Sequence, residues 1–242
     1  MRTAIVSVAI AASFATAACS RTHSKDGGPT VSRNYQVGGF DQIEVAGPYN
    51  VQVRTGPNPG VSAQGGAKLI EHMVVEVQNG KLLIHPERKK GWSFSGWNFH
   101  GKVDLTVTVP QLRGATIAGS GDIKVDQVRG DRFEGTVAGS GDLEVAALDV
   151  QSLELTIAGS GGVKATTGRA QSSKLDIAGS GDIDAKGVQS QTADISIAGS
   201  GSIAAQASGT AAVSIVGSGD VDVTGGAKCS ISKQGSGDVR CS

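Results

Sequence analysis

Five aspartates recur at near-constant intervals in the second half of the chain: Asp122, Asp142, Asp182, Asp220 and Asp238. Carboxylates set one repeat apart on a regular scaffold admit three kinds of chemistry. Two of them about 5 Å apart form the arrangement of a retaining glycosidase, one carboxyl acting as nucleophile and the other as acid and base. A row of them along an edge could hold cations, with Asp122 and Asp142 as the candidate metal pair. Each could instead accept backbone hydrogen bonds at a turn. Gly162 and Ser202 fill the same slot in two repeats, which relieves part of a repulsion of about 1–3 kcal/mol between carboxylates on successive repeats. A catalytic site is singular and needs one group in a distinct environment, whereas this aspartate is repeated. The expectation is therefore architectural: no catalytic residue, no resident metal and no cofactor.

Other reactive groups are few. His23, His72, His85 and His100 all lie outside the repeat. No H-E-x-x-H, C-x-x-C or G-x-S-x-G occurs. The three cysteines are Cys19, Cys229 and Cys241, an odd number that leaves one over after a bridge. Cys229 and Cys241 are twelve positions apart, and closing that loop in an oxidising compartment would contribute about 3 kcal/mol.

Cys19 follows Arg2 and an apolar run from Ala4 to Ala18, too short to span a bilayer, which reads as a secretory signal peptide over residues 1–18. Cleavage fits either the A-x-A site Ala15-Thr16-Ala17 or the bond before Cys19. Thr16-Ala17-Ala18-Cys19 resembles a lipobox, with Thr16 in place of the usual Leu. The expectation is lipidation at Cys19, and Ser20 rather than Asp after it favours the outer membrane. Several acyl chains would keep such a protein attached. The polar stretch that follows, residues 19–32, has no apolar period and reads as a tether.

Four aromatics crowd into one short segment: Trp92, Phe94, Trp97 and Phe99, just after the basic run Arg88-Lys89-Lys90. Displayed on a loop, such residues suit a glycan, a protein partner or a membrane interface, with Lys89 and Lys90 facing anionic groups. They equally suit plugging the end of a core. They are the candidate partner-binding residues.

Whatever the chemistry, a repeat must position it. Of 242 residues 36 are Gly, about twice the usual share, while 22 basic and 22 acidic residues cancel. Zero net charge offers no footprint for a phosphate backbone, so nucleic acid is not an expected partner. G-S-G begins at Gly119, Gly139, Gly159, Gly179, Gly199, Gly217 and Gly235, at intervals of 20, 20, 20, 20, 18 and 18. Stacking the copies aligns three apolar columns: Ile117 to Ile215, Ile123 to Val239, and Val125 to Val223. β-Branched residues at alternate positions with this period predict a parallel β-solenoid, an all-β β-helix of 18–20-residue coils. The general preference for right-handed crossovers predicts its hand. The glycines then make sharp corners, with the serine hydroxyls bonding nearby backbone. A phosphate-cradling loop would need a helix after the glycines, and a strand follows.

Ahead of the repeat, Val45-Ala46-Gly47-Pro48-Tyr49-Asn50-Val51-Gln52-Val53 aligns with Ile117 to Val125 as one more coil. Val74–Gln78, Asn79-Gly80 and Lys81–Ile84 predict a tight hairpin, and Val103, Leu105, Val107 and Val109 predict one strand face. The ordered set Gly39-Phe40-Asp41-Gln42-Ile43-Glu44-Val45, Asn79-Gly80-Lys81-Leu82, Val107-Thr108-Val109-Pro110 and Ala118-Gly119-Ser120-Gly121-Asp122 resembles the autotransporter adhesin head domain known as the GIN domain. That resemblance spans residues 33–242 and implies a β-helical envelope protein without transferring a catalytic residue. One solenoid domain is expected over 33–242, capping and irregular coils at 33–112 and regular repeats at 113–242. The expected role is a non-enzymatic adhesion or binding module, tethered by lipid and contacting a glycan or envelope protein. A β-helix polysaccharide lyase or hydrolase using Asp122 and Asp142 is the second reading. A structural spacer is the third, with a homo-oligomer formed through exposed solenoid ends.

Overall fold

The computed structural model describes residues 27–87 and 102–242. Its regular part is a stack of strands β9 (Asp122–Gly139), β10 (Asp142–Gly159), β11 (Gly162–Gly179), β12 (Asp182–Gly199) and β13 (Ser202–Gly217). Each runs almost the whole way round the core, and each pairs in parallel with the next. Leu143 faces Ile123 below and Val163 above, and Ile157 faces Val137 and Ile177. The β-solenoid has about six turns.

Burial along β10 shows how one coil closes. Leu143 and Val145, then Leu148 and Val150, then Leu153, Leu155 and Ile157 are buried. Alternation slips between 145 and 148 and between 150 and 153, so the coil has three faces with two corners there. The third corner is the G-S-G. At this corner the Ser160 N–H donates to the carbonyl of Gly139 one coil below (2.9 Å), and the Gly161 N–H reaches the same oxygen (3.1 Å). Gly159 has φ +141°, and a Cβ on Gly161 would overlap the carbonyl oxygen of Gly141. Both expected duties of glycine, left-handed backbone and close approach, are met within one corner. The serines differ from expectation: they bond through their N–H groups, while their hydroxyls stand exposed.

Four inward columns escape the sequence pattern because small or polar residues interrupt them. One runs Phe133, Leu153, Ser173, Ala193, Ala211. A Cβ at Gly135 would stand 2.7 Å from Leu143 and 2.9 Å from Leu155, so the missing side chain makes room for these two leucines of the coil above. Ser173 is buried, and its hydroxyl donates to the Thr192 carbonyl (3.3 Å), so it meets the requirement that buried polar groups be bonded. The step from β12 to β13 is two residues short. The register shifts between Ala185 and Gln189 and again between Ser190 and Thr192, after which Ile197 faces Ile215 and Gly199 faces Gly217.

The first coil consists of β2 (Gln42–Ala46) and β3 (Tyr49–Thr55). Val45 faces Ile117 of β8 (Gly114–Gly119), and Val51 and Val53 face Ile123 and Val125, as the alignment predicts. Between β3 and β8 the chain builds a cap. β6 (Lys81–Pro86) lies on β2, and β7 (Val103–Val109) lies on β3. β5 (Met73–Gln78) pairs with β6 antiparallel through Asn79 (φ 52°) and Gly80 (φ 78°), which is the predicted hairpin. β4 (Gly60–Gly66) pairs antiparallel with β7, and β1 (Thr30–Tyr35) with β4. The short helix α1 (Ala67–Glu71) buries Ile70 in this end of the core. Because β1 starts at Thr30 and Gly27 accepts from the Lys68 N–H (3.1 Å), the folded body takes in residues that composition alone places in the tether.

The far end is built from β14 (Asp220–Thr224), β15 (Lys228–Gly235) and β16 (Val239–Cys241). Cys229 continues the column of Ala211, and Cys241 continues that of Val223. The disulfide Cys229–Cys241 joins them, so the expected bridge ties the feet of two inward columns. Lys233 occupies the column of Ile215, where every earlier coil has Ile or Val, and its ammonium folds back to the Gly237 carbonyl (2.6 Å). A charge in a core column blunts an open sheet end against pairing with another chain.

The corner packing yields a contrast between neighbours in the chain. Gly161→Ala should lower the unfolding free energy by about 3 kcal/mol or abolish folding, because backbone would have to move. Ser160→Ala, which removes an exposed hydroxyl, should change it by less than about 0.5 kcal/mol. Urea unfolding followed by circular dichroism checks both.

Candidate functional site

The aspartate row stands on the edge formed by the G-S-G corners, at the start of each coil's first face. Its partners are now visible. Asp122 Oδ1 accepts from the Asp142 N–H (3.1 Å), Asp142 Oδ1 from the Gly162 N–H (2.8 Å), Asp182 Oδ1 from the Ser202 N–H (3.0 Å), and Asp220 Oδ1 from the Asp238 N–H (2.8 Å). The carboxylate caps the coil above, not its own backbone. Where Ser202 replaces Asp, the next N–H, that of Asp220, turns to the Gly201 carbonyl (3.1 Å). Each carboxylate that bonds is thus held by charge-assisted contact to backbone, which lowers the repulsion expected within the row.

Opposite charges meet at several places in the other outward columns. Lys124 pairs with Glu144 (3.0 Å) and Arg169 with Asp149 (3.2 Å), while Arg132 and Lys174 both reach Glu154 (3.0 and 3.1 Å). Exposed pairs of this kind contribute under about 1 kcal/mol each, but a slip of one coil would set like charges opposite. Hydrogen bonds that the Lys174 ammonium donates to Glu154 and then to Asp176 raise it above its usual pKa. Burial, with Tyr35 adding to it, pushes the Tyr49 phenol up to about 12. Both displacements hold their groups protonated at neutral pH, the opposite of what a base or nucleophile needs.

Asp122 and Asp142 lie on the outer surface of the stack, each with one oxygen engaged. Among the described residues no three His, Cys, Asp or Glu side chains gather in a way that could hold a metal ion. A hollow of about 170 Å3 does open at the far end of the same edge, lined by Ser202, Ala204, Asp220, Asp222, Asp238 and Arg240. Its floor is the small Ala204 between longer neighbours. A larger cavity, about 380 Å3, lies at the cap where β1, β4 and β7 end, with Asn34, Ser62, Thr106 and Thr108 on its wall. Nothing in the sequence pattern points to this cavity, because an antiparallel pairing of distant segments creates it.

Cys19 and the candidate contact residues Lys89, Lys90, Trp92, Phe94, Trp97 and Phe99 lie outside the described residues. The path of the chain nevertheless locates the ends of the aromatic segment. β6 lies on β2 and β7 on β3, so the described residues that flank it, Glu87 and Lys102, stand beside the turn of Gly47 and Pro48 between β2 and β3. No helix among the described residues is long and apolar enough to cross a membrane.

The sequence pattern of the family described as "Putative auto-transporter adhesin, head GIN domain" matches residues 39–227. The chain belongs to that family. The GIN-domain assignment agrees with solved structures of similar shape. A "putative adhesin" from Bacteroides fragilis superposes with a TM-score of 0.79 at 23% identity, covering 88% of this chain and 97% of the other. A "Putative lipid binding protein" from Parabacteroides distasonis gives 0.73 at 25% identity, over 90% and 98%. A further "putative adhesin" from Parabacteroides merdae gives 0.69 at 19% identity, over 90% and 98%. Among curated proteins none matches. The shared property is a fold spanning nearly all of each chain, and the family suggests a protein of the envelope or cell surface.

The capping role of the aspartates is open to a two-variant test. Asp142→Asn keeps an acceptor for the Gly162 N–H and should hold stability within about 0.5 kcal/mol. Asp142→Ala leaves that N–H unmatched and should cost about 1 kcal/mol. Equal losses in chemical denaturation, or a melting temperature that rises with calcium in the parent and not in Asp142→Asn, would replace capping by cation binding.

Proposed function

We propose that this GIN-domain protein is a non-enzymatic adhesion module of the cell envelope, held to the outer membrane by lipid on Cys19. It meets a glycan or protein partner through the segment carrying Lys89, Lys90, Trp92, Phe94, Trp97 and Phe99. Membership of an adhesin-head family over residues 39–227 is the observation that carries this reading. The rest is supporting chemistry. A three-sided stack with aspartates bonded to backbone supplies a stiff body. The described residues on either side of the aromatic segment, Glu87 and Lys102, belong to the cap coil. Four aromatic side chains beside a basic run bury large apolar area at little entropic cost, the usual composition of a contact hot spot. The P. distasonis relative described as lipid binding is consistent with a contact that involves amphiphiles.

Deleting residues 91–100 should abolish adherence of beads coated with the protein to partner cells or envelope glycans, with the β-rich circular dichroism unchanged. Undiminished adherence would overturn the assignment of the segment. Cys19→Ser should remove incorporation of labelled palmitate and release the protein from the membrane fraction. Retention of the label on that variant would overturn the lipid anchor.

A further inference from the structure

Among the described residues the sheet ends in four free edges, the strands β1, β5, β15 and β16. A free edge carries a row of unmatched N–H and C=O groups that another chain can pair with, and proteins blunt such edges with inward charges or very short strands. Three of the four follow that rule. On β1 the residue opposite buried Ala63 is Arg33, which is exposed and stands over the Tyr35 ring (5.9 Å). β15 carries Lys233 in a core column, and β16 is three residues long. β5 breaks the rule.

Its sequence is Met73-Val74-Val75-Glu76-Val77-Gln78. Met73, Val75 and Val77 stand on the core side, opposite Pro86, Ile84 and Leu82, and the two valines pack on the core while staying half-buried. The one charge on the strand, Glu76, points the other way, where the Gln78 amide (2.9 Å) and His85 (3.4 Å) engage it. The two-residue hairpin decides which backbone groups face outward. Gln78 and Lys81 flank the turn and exchange both hydrogen bonds, so Gln78, Glu76 and Val74 direct theirs to β6, while Met73, Val75 and Val77 direct theirs to the free side. The bond from the Glu87 N–H to the His72 carbonyl (2.8 Å) keeps the same phase. Among the described residues no strand pairs with that side.

The occupant that matches this edge is a second copy of it. Twofold pairing of β5 with β5 must oppose residues of the same face, and the registers near the middle of the strand centre on Val74, Val75 or Glu76. With Glu76 on the axis two carboxylates face each other. With Val74 on the axis Val77 falls opposite Glu71, beyond the partner strand. With Val75 on the axis Val75 meets Val75 and Met73 meets Val77, so every outward-directed position exchanges bonds. Glu76 then lies opposite Val74, and no like charges meet.

We propose that β5 is a dimerisation edge, pairing antiparallel with β5 of a second copy about a twofold axis through Val75 and joining the two caps. One short strand makes a small interface, below about 1,200 Å2 and of the transient class, so the pair forms where copies are concentrated. The inference uses neither the 91–100 segment nor the lipid on Cys19.

The test is sedimentation velocity on the full chain carrying Cys19→Ser, with oxidative cross-linking as a second reading. A monomer–dimer equilibrium is expected at concentrations up to about 1 mM. Val75→Lys should raise the dimer dissociation constant at least about tenfold, with the circular dichroism of the parent. In the same Cys19→Ser background, Val75→Cys should give disulfide-linked dimers with copper phenanthroline and air, because the axis sets the two residues about 5.5 Å apart between Cα atoms, within a disulfide's span. Gln78→Cys, which this register holds far from its mate, should give none. The proposal falls if no dimer forms, if assembly continues past the dimer, if Val75→Lys associates as the parent does, or if Val75→Cys cross-links no better than Gln78→Cys. If Val75→Lys fails to fold, the cross-linking contrast decides.

Discussion

Everything in this molecule depends on how closely one glycine corner can sit on the next. The Ser160 N–H reaches the Gly139 carbonyl only because the residues around it carry no Cβ, and the same contact recurs from Ser140 to Ser236. The corner fixes the rise of the stack at one strand spacing and fixes its phase, so residues 20 apart face each other. Once that phase is set, apolar residues at alternate positions become continuous columns, and the hydrophobic effect acts along the whole length of the stack.

The same phase governs the outer surface. Aspartates at the corner hand a carboxylate upward to the next backbone, and alternating charges pair only in the correct register. The interior columns vary from Phe133 to Ser173, whereas the first glycine of the corner recurs in each copy from Gly119 to Gly235. Rigidity of this kind suits a body that presents contacts at its ends and edges.

The parts of this arrangement that repeat were legible in the sequence, and the parts that arise from pairing were not. Ile117, Ile123 and Val125 announce three columns because β-branched residues recur in them. The column of Leu148 does not announce itself, since Gly168 interrupts it, and the buried Ser190 hides another. The Asn79-Gly80 hairpin and the Cys229–Cys241 bridge are local and were readable. The acceptor role of Asp142 was missed in its direction, because its partner lies 20 residues on. The cap cavity was invisible, because Asn34, Ser62 and Thr106 meet only when an antiparallel β1 and β4 complete the sheet.

The short step from β12 to β13 carries a lesson about how such a body could change. Two residues are lost between Ala185 and Thr192, and the corner glycines still meet on schedule. The circumference of a coil is thus adjustable on one edge and locked on the other. Added loop length on the adjustable edge would cost little, about 0.6 kcal/mol for each doubling. New recognition loops grafted there would leave the scaffold undisturbed, which makes that edge the natural place to diversify or engineer this protein.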